Sequence, residues 1–262
     1  MTDLTERTMK STGRHIVTLS YVVTPPDSKQ EIVEVISGFV VELLGIWFFV
    51  TAGHVLTGIK ELMAVGAKFD VWRLSDYTAG GDFRNTGIPI HFDLDSWLFL
   101  DKEDVGLDVA VLPIEDLYRK NLEVGNVVPV PDGAWADEKI ACAYWVLVGV
   151  PNESVSYDGK TQISASMVMM PLEPIDDTQI PGEPKPQKFY ARLIDGSEAV
   201  VRRVEGMSGG PIFAISKSID NWEYVVIGVQ SGWFSHQRIV TVFRFSEFAN
   251  LLKEALKSQM AE

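Results

Sequence analysis

An all-β chain of two small antiparallel barrels packed side by side, closed by a C-terminal helix, is the fold class this sequence predicts. Three observations predict it. Short runs rich in Val, Ile, Thr and aromatic residues recur in both halves, each bounded by glycine or proline; few stretches have helical spacing; and a Pro- and Gly-bearing stretch without any period lies between the halves. With 262 residues, 46% of them hydrophobic, the chain can bury about three quarters of its unfolded surface.

Residues 1–15 are polar and mixed in charge and read as a flexible lead. Ile16 to Val23 is a first strand, stopped by Pro25-Pro26-Asp27-Ser28. Glu31 to Leu44 and Ile46 to Thr51 pair as a hairpin about Gly45, and Leu56 to Ala64 has the spacing of a short helix. Phe69 to Leu74 and Ile88 to Phe92 are strands around the polar loop Asp76 to Thr86. Gly106 to Pro113 is an apolar run with one carboxylate, followed by a helix or turn over Ile114 to Leu122. These make a first barrel over 16–125, and 126–140 is the crossing. The second barrel, 141–243, opens on Ala141 to Val150, where Cys142 reads as a small buried core residue. It continues through Thr161 to Met170, Lys188 to Leu193, Ile212 to Ile215, Tyr224 to Gln230 and Arg238 to Phe243. Pro171 to Pro186 holds five prolines and is expected to be an exposed loop outside any sheet. In the last segment, 244–262, Phe248, Leu251, Leu252, Ala255 and Leu256 fall at helical spacing.

Chemistry concentrates at three places. Gly206-Met207-Ser208-Gly209-Gly210-Pro211 is either a loop that exposes one hydroxyl beside the backbone amides of Gly206 and Ser208, the outline of a nucleophile with an oxyanion hole, or a glycine-rich turn between two strands. Thr51-Ala52-Gly53-His54-Val55 sets a histidine where a strand gives way to a helix, with small neighbours around the ring; it is a base or a buried imidazole satisfied by backbone. Asp108 opens the apolar run Val109-Ala110-Val111-Leu112, so it is either a shielded carboxylate that needs specific donors or a strand-edge residue facing water.

Taken together, and in the order His, Asp, Ser, these segments resemble the three signature segments of the trypsin-like (chymotrypsin-fold) serine peptidases, over about Ile16 to Phe243. The resemblance implies two six-stranded barrels and a serine endopeptidase with Ser208 as nucleophile, His54 as base, Asp108 as orienting acid and the Gly206 and Ser208 amides as oxyanion hole. It implies that Gln230-Ser231-Gly232 pairs with substrate backbone, and that the side-chain pocket has its base near Arg202 and Arg203, which would favour acidic residues, although such a pair also suits a solvated surface. Met207 stands where secreted members carry an aspartate for a freed N-terminus, so zymogen clipping is not implied. With no disulfide either, the likeness is to the bacterial and intracellular branch. Gly-x-Ser-x-Gly is also the α/β-hydrolase elbow, but a strand follows Ser208 and only Asp220 and His236 lie beyond it at close spacing. The competing reading is a catalytically silent barrel that binds peptides or regulates.

The resemblance implies a protein or peptide substrate, and composition argues against two other partners. A net charge of -13 opposes nucleic acid, and the longest apolar stretch, Leu43 to Gly53, is too short for a bilayer. Four histidines (His15, His54, His91, His236) show no ligand spacing, so neither metal nor other cofactor is expected. A single cysteine and no recognisable secretion signal lead to a soluble, cytoplasmic expectation.

Overall fold

A computed structural model describes residues 3–76, 87–160, 162–194, 196, 203–217 and 222–260. Its strands are β1 (Ile16–Thr24), β2 (Ile32–Leu43), β3 (Ile46–Thr51), β4 (Lys68–Asp76), β5 (Ile88–Pro89), β6 (Leu98–Lys102), β7 (Leu107–Pro113), β8 (Tyr144–Gly149), β9 (Ser156–Tyr157), β10 (Ile163–Ser164), β11 (Val168–Pro174), β12 (Lys188–Leu193), β13 (Pro211–Lys217), β14 (Trp222–Phe234) and β15 (Ile239–Arg244). The helices are α1 (Asp3–Gly13), α2 (Gly53–Ala64), α3 (Asp116–Val124) and α4 (Phe245–Met260).

The first half forms one antiparallel sheet in the order β5-β4-β1-β2-β3-β7-β6, and the second half a closed barrel in the order β11-β12-β15-β14-β13-β8. The all-β architecture with a C-terminal helix is as expected. Among the described residues, however, the first sheet has seven strands rather than six: the expected strand at Ile88 to Phe92 shortens to β5, which adds to β4 through Arg73↔Pro89 and Leu74↔Ile88, and the additional strand is β6, which pairs with β7 from Leu98↔Val111 to Lys102↔Leu107. Three apolar clusters hold the molecule. One fills the first sheet and takes Leu56 and Ile59 of α2, and one fills the closed barrel. The third joins the halves, setting Phe39 and Val50 of the first with Val148, Phe213 and Phe243 of the second and Phe245 and Ala249 of α4.

Two local expectations change. Pro171 and Pro174 lie in β11, inside the closed barrel, and the exposed loop begins only after them. Pro171 has no N–H to give the ladder, but its carbonyl accepts from Ile194 N at 3.2 Å. Cys142 lies ahead of β8, half-buried against the barrel core.

Ahead of the sheets, the stretch expected to be a flexible lead carries α1. Its end is tied by His15, which is 2% exposed: Nδ1–H donates to Val128 O at 2.6 Å in the crossing, and Nε2 lies 2.9 Å from Tyr224 Oη in the second barrel. Burial pushes the imidazole pKa down against the Val128 hydrogen bond, and the Arg14 charge adds to the depression, to about 4. The ring is therefore neutral in the folded chain at pH 5, while an unfolded chain protonates it below about 6.5. Stability that is full above pH 6.5 is lost as pH falls toward 4, by about 3 kcal/mol for this residue. Urea unfolding at pH 7 and pH 4.5 checks this: the loss is expected to shrink in His15→Gln, and an equal loss in both proteins would remove His15 as its cause.

Candidate active site

The candidate base and acid meet at the N-terminus of α2. This helix starts at Gly53 with Ala52 as its N-cap and no side-chain cap of its own, so its first N–H groups need an outside acceptor. Asp108 supplies it. Strand β7 runs beside the helix start, and the Asp108 carboxylate, 3% exposed, accepts from the His54 backbone N–H at 2.9 Å through Oδ1 and from the His54 ring Nδ1–H at 2.9 Å through Oδ2. An anion at a helix N-terminus is favoured electrostatically, and the two bonds leave this buried carboxylate paired. Gly53 is needed here for space, since a Cβ on it would run into the Leu100 carbonyl of β6.

That geometry fixes the tautomer. With Nδ1–H donating to a carboxylate, the lone pair of His54 lies on Nε2, the nitrogen available as a base. Burial alone would lower the His54 pKa. The Asp108 hydrogen bond and charge, with Asp101, which lies opposite Asp108 in the β6–β7 register, raise it, and Lys188 opposes them; the sum lies above the ordinary imidazole value.

The candidate nucleophile sits on two successive turns, Met207 N–H to Val204 O at 2.9 Å and Gly210 N–H to Met207 O at 2.8 Å. Gly206, at φ +88°, turns the chain beside Asn152, whose N–H donates to Glu205 O at 2.8 Å. Its carbonyl accepts from Ser37 Oγ at 2.9 Å. Gly209 N–H donates to Gln230 O at 2.8 Å, and Gln230 N–H donates to Gly210 O at 2.9 Å. The loop is thus held from the first sheet and from β14. The Gly206 and Ser208 N–H groups donate to no acceptor among the described residues. Ser208 is half-buried, and its hydroxyl makes no hydrogen bond to His54 or to any other described residue.

Two residues that the sequence reading passed over, Ser37 and Asn152, brace this loop. Ser37 Oγ also accepts from Val150 N–H at 2.8 Å, and its carbonyl accepts from Thr51 Oγ1–H at 2.8 Å, three residues before His54. The available signal was Ser37-Gly38 interrupting an apolar strand, a mark of close backbone approach.

His54, Asp101, Lys188, Tyr190, Ser231 and Trp233 are among the walls of a cavity of about 390 Å³. The lysine side is fixed by Arg244, which donates to the Pro186 and Lys188 carbonyls and is paired with Glu138 at 2.7 Å. Along the floor, β14 runs past its partner: β13 pairs with it only as far as Pro211↔Val229, whereas β15 continues to Phe234↔Ile239. Ser231 to Phe234 thus have one open flank in the described structure. Gln230, expected to pair with substrate, has both backbone groups engaged by the nucleophile loop, so the open edge starts one residue later. Arg202 lies outside the described residues, and Arg203 is exposed.

Among the described residues no three His, Cys, Asp or Glu side chains group to hold a metal ion, and no helix is long and apolar enough to cross a membrane.

No protein-family model matches the chain, and no curated protein matches it. Solved structures do. The chain is similar to the thermostable serine protease AL20 from an extremophilic microorganism, at 14% identity and TM-score 0.52 over 92% of this chain and 95% of that one. It is also similar to the scabies mite inactivated protease paralogue S-I1, at 14% identity and TM-score 0.51 over 94% and 96% of the two chains. Likeness at this identity concerns fold alone, and one of these two relatives is inactivated by its own description. The chain has the chymotrypsin-like fold of the serine proteases.

Proposed function

We propose that the chain is a serine endopeptidase that uses Ser208 as nucleophile, His54 as general base and acid, and Asp108 to hold the imidazole. The observation that carries this reading is the double acceptance by Asp108 of the His54 ring and backbone N–H groups. A structural aspartate needs only to cap the helix; bonding Nδ1 as well leaves Nε2 with its lone pair toward solvent and a raised proton affinity, which is what a base requires.

The substrate adds as a strand along Ser231 to Phe234, which brings a peptide carbonyl against the loop. Ser208 Oγ attacks the carbonyl carbon as its proton passes to His54 Nε2. The negative oxygen of the tetrahedral intermediate takes hydrogen bonds from the Gly206 and Ser208 amides, each worth about 3 kcal/mol by the usual scale of such donors. The intermediate collapses as His54 gives the proton to the leaving amine, and the acyl group stays on Ser208. Water then repeats the sequence, His54 taking its proton, and the acid is released. The single cysteine leaves the fold without an intrachain disulfide, which suits a cytoplasmic location.

One observation favours the alternative, a silent peptide-binding barrel: the Ser208 hydroxyl is not hydrogen-bonded to His54. Catalytic hydrogen bonds are often loose before substrate arrives, so this alone does not decide. A fluorophosphonate probe does. Peptide mapping is expected to find the adduct on Ser208 and none in Ser208→Ala; a wild-type protein left unmodified under conditions that label a control protease would establish the silent reading.

A further inference from the structure

Two polar atoms of β14 are shut off from solvent without a hydrogen-bond partner among the described residues: Gln230 Oε1, an acceptor, and Trp233 Nε1–H, a donor. Groups left in this way are rare, because each gives up water and gains nothing. The strand's bulge relates the two. Gln230 pairs with Val242 and Trp233 with Val240, two residues apart on β15, so the extra residue between Gln230 and Gly232 turns a separation of three into a same-face neighbour pair. That face is the inside of the closed barrel, since Val240 and Val242 belong to its core. The same core contains Val204 and Met207 of the nucleophile loop, and Trp233 packs against it while also bordering the His54 cavity. The orientation of the Gln230 amide is settled by Nε2–H donating to Gly232 O at 2.9 Å, which leaves Oε1 as the unmatched end.

We propose that Gln230 and Trp233 select the substrate residue on the acyl side of the cut, and that they admit a carboxamide side chain, glutamine or asparagine. The proposal rests on the peptidase reading for what happens after binding. The Trp233 N–H donates to the carboxamide oxygen while the carboxamide NH2 donates to Gln230 Oε1, so one side chain satisfies both unmatched atoms. A carboxylate lacks the donor, an ammonium lacks the acceptor and an aliphatic chain lacks both; each leaves at least one buried polar group unpaired, the situation that discriminates most strongly between similar ligands. Because both atoms are closed off in the unliganded chain, the side chain enters as Trp233, at the rim between cavity and core, swings aside.

The test separates binding from chemistry by using Ser208→Ala, which cannot turn over. Acetyl-Ala-Ala-Ala-X acids with X as Gln, Asn, Glu, Leu or Lys, whose terminal carboxylate fixes the register as a cleaved product would, are titrated by NMR. The Gln or Asn peptide is expected to bind at least about tenfold tighter than the Glu and Leu peptides. In Gln230→Met, which is close to isosteric, and Trp233→Phe, which keeps an aromatic ring without the N–H, each made in the same background, the ratio is expected to fall toward one. Equal or tighter binding of Glu would overturn the proposal in favour of a basic pocket at Arg202. A preference for Leu or Lys, a preference that survives both substitutions, or no binding of any peptide would overturn it as well. Fluorophosphonate reactivity of the wild type reports on the peptidase reading independently of these ratios.

Discussion

Asp108→Asn is expected to cut kcat by about ten-thousandfold while leaving KM near its starting value. The carboxamide oxygen can keep the bond from the His54 backbone N–H, so α2 stays capped and the fold survives. Its NH2 then faces Nδ1 and must donate to it, which drives the imidazole proton onto Nε2 and takes away the lone pair that the proposed attack by Ser208 needs. The pH profile moves too. In its proposed role as base His54 works only when neutral, and its pKa lies above the ordinary value, so kcat/KM of the wild type is expected to fall as pH drops through a midpoint above about 6.5. Removing the Asp108 charge leaves Asp101 alone against burial and Lys188, so the residual activity is expected to have its acid limb at lower pH. A kcat within tenfold of wild type would show that Asp108 only caps a helix.

The largest structural effect is expected at Gly209. Its φ of +90° suits glycine, and a Cβ there would collide with Thr51 Oγ1 and the Ser37 carbonyl, the braces that join the nucleophile loop to the first sheet. Gly209→Ala combines an unfavourable backbone conformation with a clash against a rigid strand, and a loss of about 3 kcal/mol or more is expected. Gly133→Ala isolates the first term, since Gly133 has a φ of +83° with nothing within 4 Å of its Cβ position. That change should cost about 1–2 kcal/mol. Denaturant midpoints of the two proteins measure the difference, and similar midpoints would mean that the Ser37–Thr51 brace gives way easily.

Much of this was legible in the sequence because it depends on local chemistry. A histidine after small residues at the end of a strand, and one carboxylate at the head of an aliphatic run, are each unusual enough to read, and Asp108 is indeed shielded and supplied with specific donors. The C-terminal helix also forms where the spacing places it, as α4. Leu251 and Ala255 fall at helical spacing yet face solvent, and the buried stripe runs through Phe245, Phe248, Ala249, Leu252 and Leu256. Phe245, 1% exposed, anchors this stripe at the strand–helix junction.

Other features could not be read because they depend on contacts between distant segments. Ser37-Gly38 marks a close approach, but nothing near it in the chain says that the partner is Gly206, 169 residues later. His15 looks like any polar residue until burial between the crossing and the second barrel depresses its pKa. The expected six strands became seven because Leu98–Lys102 pairs along β7, and this mostly exposed strand, ending in Asp101-Lys102, has only a short apolar run of its own to read. Gln230 matched a substrate-binding strand by position, but its backbone is spent on Gly209 and Gly210, and only the pairing register reveals that.

The most direct measurement is the rate of fluorophosphonate addition to Ser208 as a function of pH. If His54 draws the proton from Ser208 while Asp108 holds the ring, the rate rises sigmoidally with a midpoint above about 6.5 and collapses in His54→Ala. A rate that is flat across this range, or one that the His54→Ala substitution leaves untouched, would mean that the hydroxyl and the imidazole never work together.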